Sequence, residues 1–539
     1  MSRAERAWLG TVPRVRHERH YGDRIVRCFV ERPKNVYDLL REAVARNGAG
    51  EAIVCGNERL TYHELESAVE QCAAGLQMAG IDKGDRVAML LGNGIPFPIV
   101  LFAVLRVGAI AVPMSVREQT PGLVYMLTHS GAKLLVSDAD LADRLPDPQD
   151  TPTIVQRIAA DPAAAVGTMR LLAPATGRPP ALVDEEDTAI ILYTSGTTGR
   201  PKGAMLTHLG ICHSALHYEC CMALTSNDRA IVAVPMSHVT GVIALIAAMV
   251  RAAAALIVMP AFKAGEFLEL AASERMTHSL MVPAMYNLCL LDPAFEAARY
   301  SAWRVGGYGG APMAPSTIAR FAQMLPRLSL MNAYGSTETT SPVTIMPPSE
   351  TCARPDSVGC AVPCADILVV DDEGREVAAG EQGELWLGGP MVVKGYWDDP
   401  AASAESFVAG YWRSGDIGSE DAEGYVRVFD RKKDMINRGG YKIYSIEVEN
   451  ALMSFPGVIE AAVVARPCPV LGERVHAFVV AGPGAQAAEL RRHCAKLLAD
   501  YKVPEGITLR DKPLPRNANG KLLKRNLRNE IAAAPTPMR

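Results

Sequence analysis

The β-branched, apolar run TAIILY (188–193) passes straight into YTSGTTGRPKG (193–203). The first stretch predicts a buried strand, and the second begins where α/β folds place their ligands, at a strand's end. Gly196, Gly199 and Gly203 allow backbone dihedrals closed to other residues, so successive N–H groups can converge on one concavity, the geometry of a phosphate nest. Thr194, Ser195, Thr197 and Thr198 add hydroxyl donors, and Lys202 adds a mobile cation. A Walker loop would place Lys and Ser/Thr directly after its last glycine; here Gly199 is followed by Arg200 and Pro201, so this is a phosphate loop of another kind.

Helical periodicity alternating with short runs such as AIAVPM, KLLVSD and RAIVAVPM predicts a layered α/β fold. With 539 residues, 49% hydrophobic and 21% charged, the chain buries a large core and divides into more than one domain. A net charge of −4 supplies no basic field for nucleic acid or an anionic membrane, so a bound nucleotide is expected to be a small one. The 12 cysteines form no CxxC or regular framework, and the opening MSRAERAWLG has no apolar signal core, which points to free thiols and a reducing cytoplasm. In THLGICHSALHYECC, His213 and His217 lie four apart on a predicted helix beside Cys212, Cys220 and Cys221; buried thiols and helix-surface imidazoles are expected there rather than a metal site. The apolar stretches from Val87 and Val239 are broken by Gly, Pro, Arg106 or Arg251, and read as core helix followed by core strand, not as membrane spans.

Beyond about residue 360, short strands with Gly turns (ILVVDDEGREV, GELWLGG, GYVRVFD) predict a small antiparallel, barrel-like unit. DRKKDMINRGGYKI reads as a linker, followed by a compact α+β module. The expected division is an N-terminal domain over 1–430, a hinge over 431–436 and a mobile C-terminal domain over 437–539.

Seven segments, YTSGTTGRPKG, PMSHVTG (235–241), GYGGAP (307–312), NAYGSTE (332–338), YWRSGD (411–416), DRKKD (430–434) and PRNANGK (515–521), occur in the order and spacing of the acyl-adenylate-forming superfamily, which the chain resembles over nearly its whole length. The resemblance implies an AMP-forming acid–CoA ligase: ATP, with Mg²⁺, converts a carboxylic acid to an acyl-adenylate, and CoA then displaces AMP. Charge neutralisation and positioning should dominate such chemistry. By the same resemblance Glu338 binds Mg²⁺, Thr337 reaches the α-phosphate and Tyr334 packs on adenine, while Gly309, Gly310, Ala311 and Pro312 let backbone approach the base. Asp416 takes the ribose hydroxyls, a task suited to an acceptor-only carboxylate, beside Arg431. Lys521 is the expected adenylation catalyst, Lys433 the hinge, Gly439 and Gly440 the passage for the thiol, and His238 the gate between acyl pocket and thiol tunnel. Lys524 and Arg525 are expected to be solvated charges.

The implied acyl pocket comprises His238, Val239, Thr240, Ala244, Val282, Gly309 and Ala333. None carries a formal charge when His238 is neutral, so a second carboxylate or an amino group on the substrate would lack a partner, and a fatty or aromatic acid is expected. Ser237, Ala333 and Asn517 depart from the common pattern, which bears on pocket shape and not on nucleotide chemistry. The alternatives are a stand-alone adenylation enzyme that loads a carrier protein in trans, and a non-catalytic nucleotide-binding protein. The expected assembly is a monomer or homodimer.

Overall fold

The computed structural model describes residues 8–160, 173–174, 177–194, 200–482, 484–516 and 522–533. Ser195, Gly196, Thr197, Thr198, Gly199 and Lys521 lie outside them.

Two large sheets carry the N-terminal part. In the six-stranded sheet, Arg86–Leu90 lies between Ile110–Pro113 and Leu134–Asp138, all parallel, with Gln156–Ala160 at one edge. Next to Ile110–Pro113 comes β1 (Thr188–Thr194), paired antiparallel with β2 (Lys202–Thr207) so that Thr194 and Lys202 face each other across the hairpin mouth. The strands on either side of the expected phosphate loop are therefore paired antiparallel with each other. Thr207 ends β2 and caps α1 (His208–Met222), its hydroxyl accepting from Gly210 N–H.

The second sheet has 14 strands. Its parallel part runs Glu51–Cys55, Ala255–Val258, Arg229–Val232, His278–Met281, β3 (Val305–Tyr308) and β4 (Ser329–Tyr334). Beyond β4 every pairing is antiparallel, through Thr344–Ile345 and Ser357–Ala361 to β5 (Tyr411–Glu420) and β6 (Tyr425–Arg431). The antiparallel unit foreseen after residue 360 is present, joined edge to edge with the parallel sheet.

From Ile436 onward a five-stranded sheet packs with α2 (Ser445–Met453), Ala487–Leu497 and α3 (Lys524–Ala533). It has cores of its own, one containing Ile436, Ile443, Val448 and Leu452 and another Ala462, Phe478 and Leu527.

Both long apolar stretches fold as core helix and core strand, and Arg106 and Arg251 find Glu70 and Glu42. No helix among the described residues is long and apolar enough to cross a membrane. Two expectations are corrected. His213 and His217 are fully buried, not on a helix surface: α1 offers only Glu219 as a charged position other than its histidines, too little polarity for a solvated face. Lys524 is not solvated either, because its Nζ lies 2.7 Å from Glu449 Oε1 and donates to Ser445 Oγ at 2.6 Å.

Candidate active site

The ends of β1 and β4 converge. After Tyr334 the chain makes a short 3₁₀ turn (Thr337–Thr339) that turns Glu338 inward, 6% exposed. Its Oε2 accepts from Ser336 Oγ at 2.7 Å; its Oε1 accepts from Tyr396 OH at 3.0 Å and lies 3.4 Å from Thr194 Oγ1. Every one of these partners is a neutral hydroxyl, and no ion pair neutralises Glu338 among the described residues. A buried carboxylate with oxygen neighbours and spare lone pairs suits a hard divalent cation, so the residues present fit Mg²⁺. Lys202, opposite Thr194, holds its Nζ 4.9 Å from the Tyr396 ring centroid.

A second cluster forms where β4 meets the antiparallel strands. Asp416 and Arg431 are register partners on β5 and β6, with Arg431 Nε 3.3 Å from Asp416 Oδ1. Tyr334 OH donates to Asp416 Oδ2 at 2.7 Å. Burial first, and then the neighbouring carboxylate, push the Tyr334 phenol well above its usual range, so it remains a donor. Asp416 N–H is fixed in turn by Ser414 Oγ at 3.0 Å.

Just past the end of β3, a Cβ on Gly309 would lie 2.4 Å from the Ala333 carbonyl oxygen on β4, so only glycine permits that approach. Gly310 follows in the left-handed region, φ +77°, near the half-exposed Val282; Ala311 and Pro312 are exposed. His238 Nδ1 lies 3.2 Å from Thr240 Oγ1 at the head of a π-helical stretch, Thr240–Ala247, a form frequent at functional sites. Val239, Ala244 and Ala333 are buried beside it or in the same core.

Not every predicted residue joins these clusters. Gly439 and Gly440 form a hairpin turn at φ +60° and +94°, their N–H groups donating to Leu471 O and Asn437 Oδ1, both in the C-terminal module. Lys433 is exposed, its carbonyl accepting from Arg528 on α3 at 3.2 Å. Sequence reasoning missed Tyr396 and Ser336. Tyr396 lies 58 residues beyond Glu338 in VVKGYW, where no local pattern links the two. A further metal-type group, Glu18, His20 and Cys28, sits in the N-terminal hairpin, but Arg32 already pairs with Glu18 at 2.7 Å and lowers its affinity for a cation.

Residues 40–397 match the AMP-binding enzyme family and residues 447–521 the AMP-binding enzyme C-terminal domain. A feruloyl-CoA synthase from an Amycolatopsis species is 36% identical over 490 residues, covering 89% of this chain and 96% of that relative. A long-chain-fatty-acid–CoA ligase from Mycobacterium tuberculosis is 32% identical, covering 93% and 99%. Among solved structures, the o-succinylbenzoate coenzyme A synthetase of Bacillus subtilis with ATP and a magnesium ion is similar at TM-score 0.80 and 28% identity, over 92% of this chain and 99% of that one. With sheets, motif order and converging strand ends all in agreement, the chain belongs to the AMP-binding enzyme family.

Proposed function

We propose that the protein is an AMP-forming acid–CoA ligase acting on an uncharged fatty or aromatic acid. The observation that carries this reading is the pair of clusters built at and just beyond the end of β4: buried Glu338 with Thr194, and Tyr334 with Asp416 and Arg431, with Lys202 opposite Thr194. In the first step a carboxylate oxygen of the acid attacks the α-phosphorus of ATP, the α–β bridge breaks and pyrophosphate leaves. In the second the thiol sulfur of CoA attacks the acyl carbon, the mixed anhydride breaks and AMP leaves with the bond's electron pair, the thiol proton passing to solvent.

Asp416 and Arg431 hold the ribose, Tyr334 bounds the adenine, and the backbone at Gly309 to Pro312 admits base and acyl group closely. Thr194, Lys202 and the loop between them receive the β- and γ-phosphates, with Thr337 at the α-phosphate. Glu338 would hold Mg²⁺, which would supply charge to offset the phosphates. Lys521 bridges carboxylate and α-phosphate during adenylation, and a rotation about Lys433 brings Gly439 and Gly440 to the site for the thiol. The neutral lining Val239, Thr240, Ala244, Val282 and Ala333 supports an uncharged acyl tail, as do relatives named for feruloyl and long-chain fatty acyl groups.

The test is release of AMP and pyrophosphate with ATP and Mg²⁺ across fatty, aryl and short-chain acids, each with and without CoA. CoA-dependent turnover on a fatty or aryl acid is the expected result. Adenylate trapped by hydroxylamine without stimulation by CoA would point instead to a carrier-protein acceptor, and absence of any adenylate would sink both readings.

A further inference from the structure

The segment Val393–Trp397 belongs to none of the motifs, yet the backbone stitches it to both sides of the phosphate end of the site. Val393 N–H donates to the Glu338 carbonyl at 2.9 Å, Met205 N–H to Gly395 O at 3.1 Å, and Trp397 N–H to Gly203 O at 2.7 Å. Tyr396 and Ala204 oppose each other in an antiparallel bridge. Tyr396 is thereby fixed between β2, which carries Lys202, and the turn that carries Glu338.

Its side chain uses both neighbours. The hydroxyl donates to Glu338 Oε1 at 3.0 Å, and Lys202 Nζ sits 4.9 Å from the ring centroid, within cation–π range. Phe407 packs edge-on at 5.5 Å, and Tyr396 N–H is held by Ser403 Oγ at 2.8 Å, so the ring has little room to swing. The terminal torsion of a glutamate is broad and weakly restrained on its own. A donor on each oxygen, Tyr396 on Oε1 and Ser336 on Oε2, removes that freedom.

We propose that Tyr396 is a positioning residue for adenylation: it aims the Glu338 carboxylate at the divalent cation carried by ATP and ties that aim to the place of Lys202 on the phosphate loop. This rests on the reading of Glu338 as the ion's ligand. Hydrogen-bond partners of a metal-binding carboxylate typically change metal affinity by about 10- to 100-fold when removed.

Tyr396→Phe keeps the ring and deletes only the donor. Two quantities test it: Mn²⁺ binding, followed by electron paramagnetic resonance on the protein with a non-hydrolysable ATP analogue and no acid, and the Mg²⁺ dependence of acid-dependent pyrophosphate exchange. Both are expected to weaken about 10-fold, with the loss falling on the metal requirement more than on the rate at saturating metal. A purely structural role would lower the thermal midpoint and leave the metal curves superimposed on wild type, which would overturn the proposal. Glu338→Gln separates the two levels of the argument. If it shifts the metal curves while Tyr396→Phe does not, only the role of Tyr396 falls; if neither variant shifts them, the assignment of Glu338 falls as well.

Discussion

Asp416 has its two oxygens engaged by different residues, Tyr334 on one and Arg431 on the other, and it is buried. On the proposed reading it trades part of this network for two ribose hydroxyls. Hydrogen bonds to a charged group contribute about 1.5–3 kcal/mol each, so Asp416→Ala is expected to raise the KM for ATP by at least about 10-fold with a smaller effect on the KM for the acid. An unchanged ATP KM would contradict the ribose assignment. RSGD made this aspartate legible in the chain because motif order supplied its context. Tyr396 was not legible, since its partner Glu338 is reached through the pairing of Gly203 and Met205 with the Gly395–Trp397 strip and through Val393 N–H on the Glu338 carbonyl.

At the level of elements, α1 shows how far periodicity carries. The helix itself was expected, and Thr207 caps it, but its burial on all sides follows from the helical stretches Thr240–Ala247 and Ala248–Ala252 and the segments around Phe29 and Val36 packing over it. His213 Nε2 accepts Phe29 N–H at 3.1 Å while Nδ1 lies 2.9 Å from Leu209 O, and His208 Nδ1 accepts Val36 N–H at 3.2 Å. Burial pushes His208 down to about 4 and His213 down to about 3, from an ordinary value of 6.5. Depressed folded values mean that the neutral rings favour the fold fully above 6.5 and that this contribution is lost as pH falls toward 3–4, where the folded state also takes up the protons. At about pH 5 each histidine is expected to cost about 2 kcal/mol of stability relative to neutral pH. Urea unfolding at neutral and acid pH measures this, and His213→Leu should shrink the acid slope while losing about 1–3 kcal/mol at neutral pH for the unpaired Phe29 N–H; an unaltered slope would show that His213 does not titrate on unfolding. The second element-scale case is α3. Burial raises the Glu449 carboxyl even with Lys524 beside it. Lys524→Met is therefore expected to destabilise the C-terminal module by about 3 kcal/mol, read from its denaturation, because the partner carboxylate is left buried and unpaired.

On the scale of the whole molecule, the N-terminal sheets and the C-terminal module have separate cores, and their junction runs through the β6 end, where buried Asp430 accepts Ser445 N–H and Arg528 reaches back to Asp434. If the module rotates about Lys433 between half-reactions, Lys521→Ala should abolish acid-dependent pyrophosphate exchange yet spare thioester formation from supplied acyl-adenylate. Equal loss of both activities would argue against alternation. The sequence by itself determined the α/β class, the family and the order of the motifs, because glycine content, strand composition and charge are properties of contiguous residues. Only the tertiary structure decided that Tyr396 faces Glu338, that His213 and His217 are enclosed, and that Lys524 is paired, because those contacts depend on sheet order and on segments distant in the chain folding over one another.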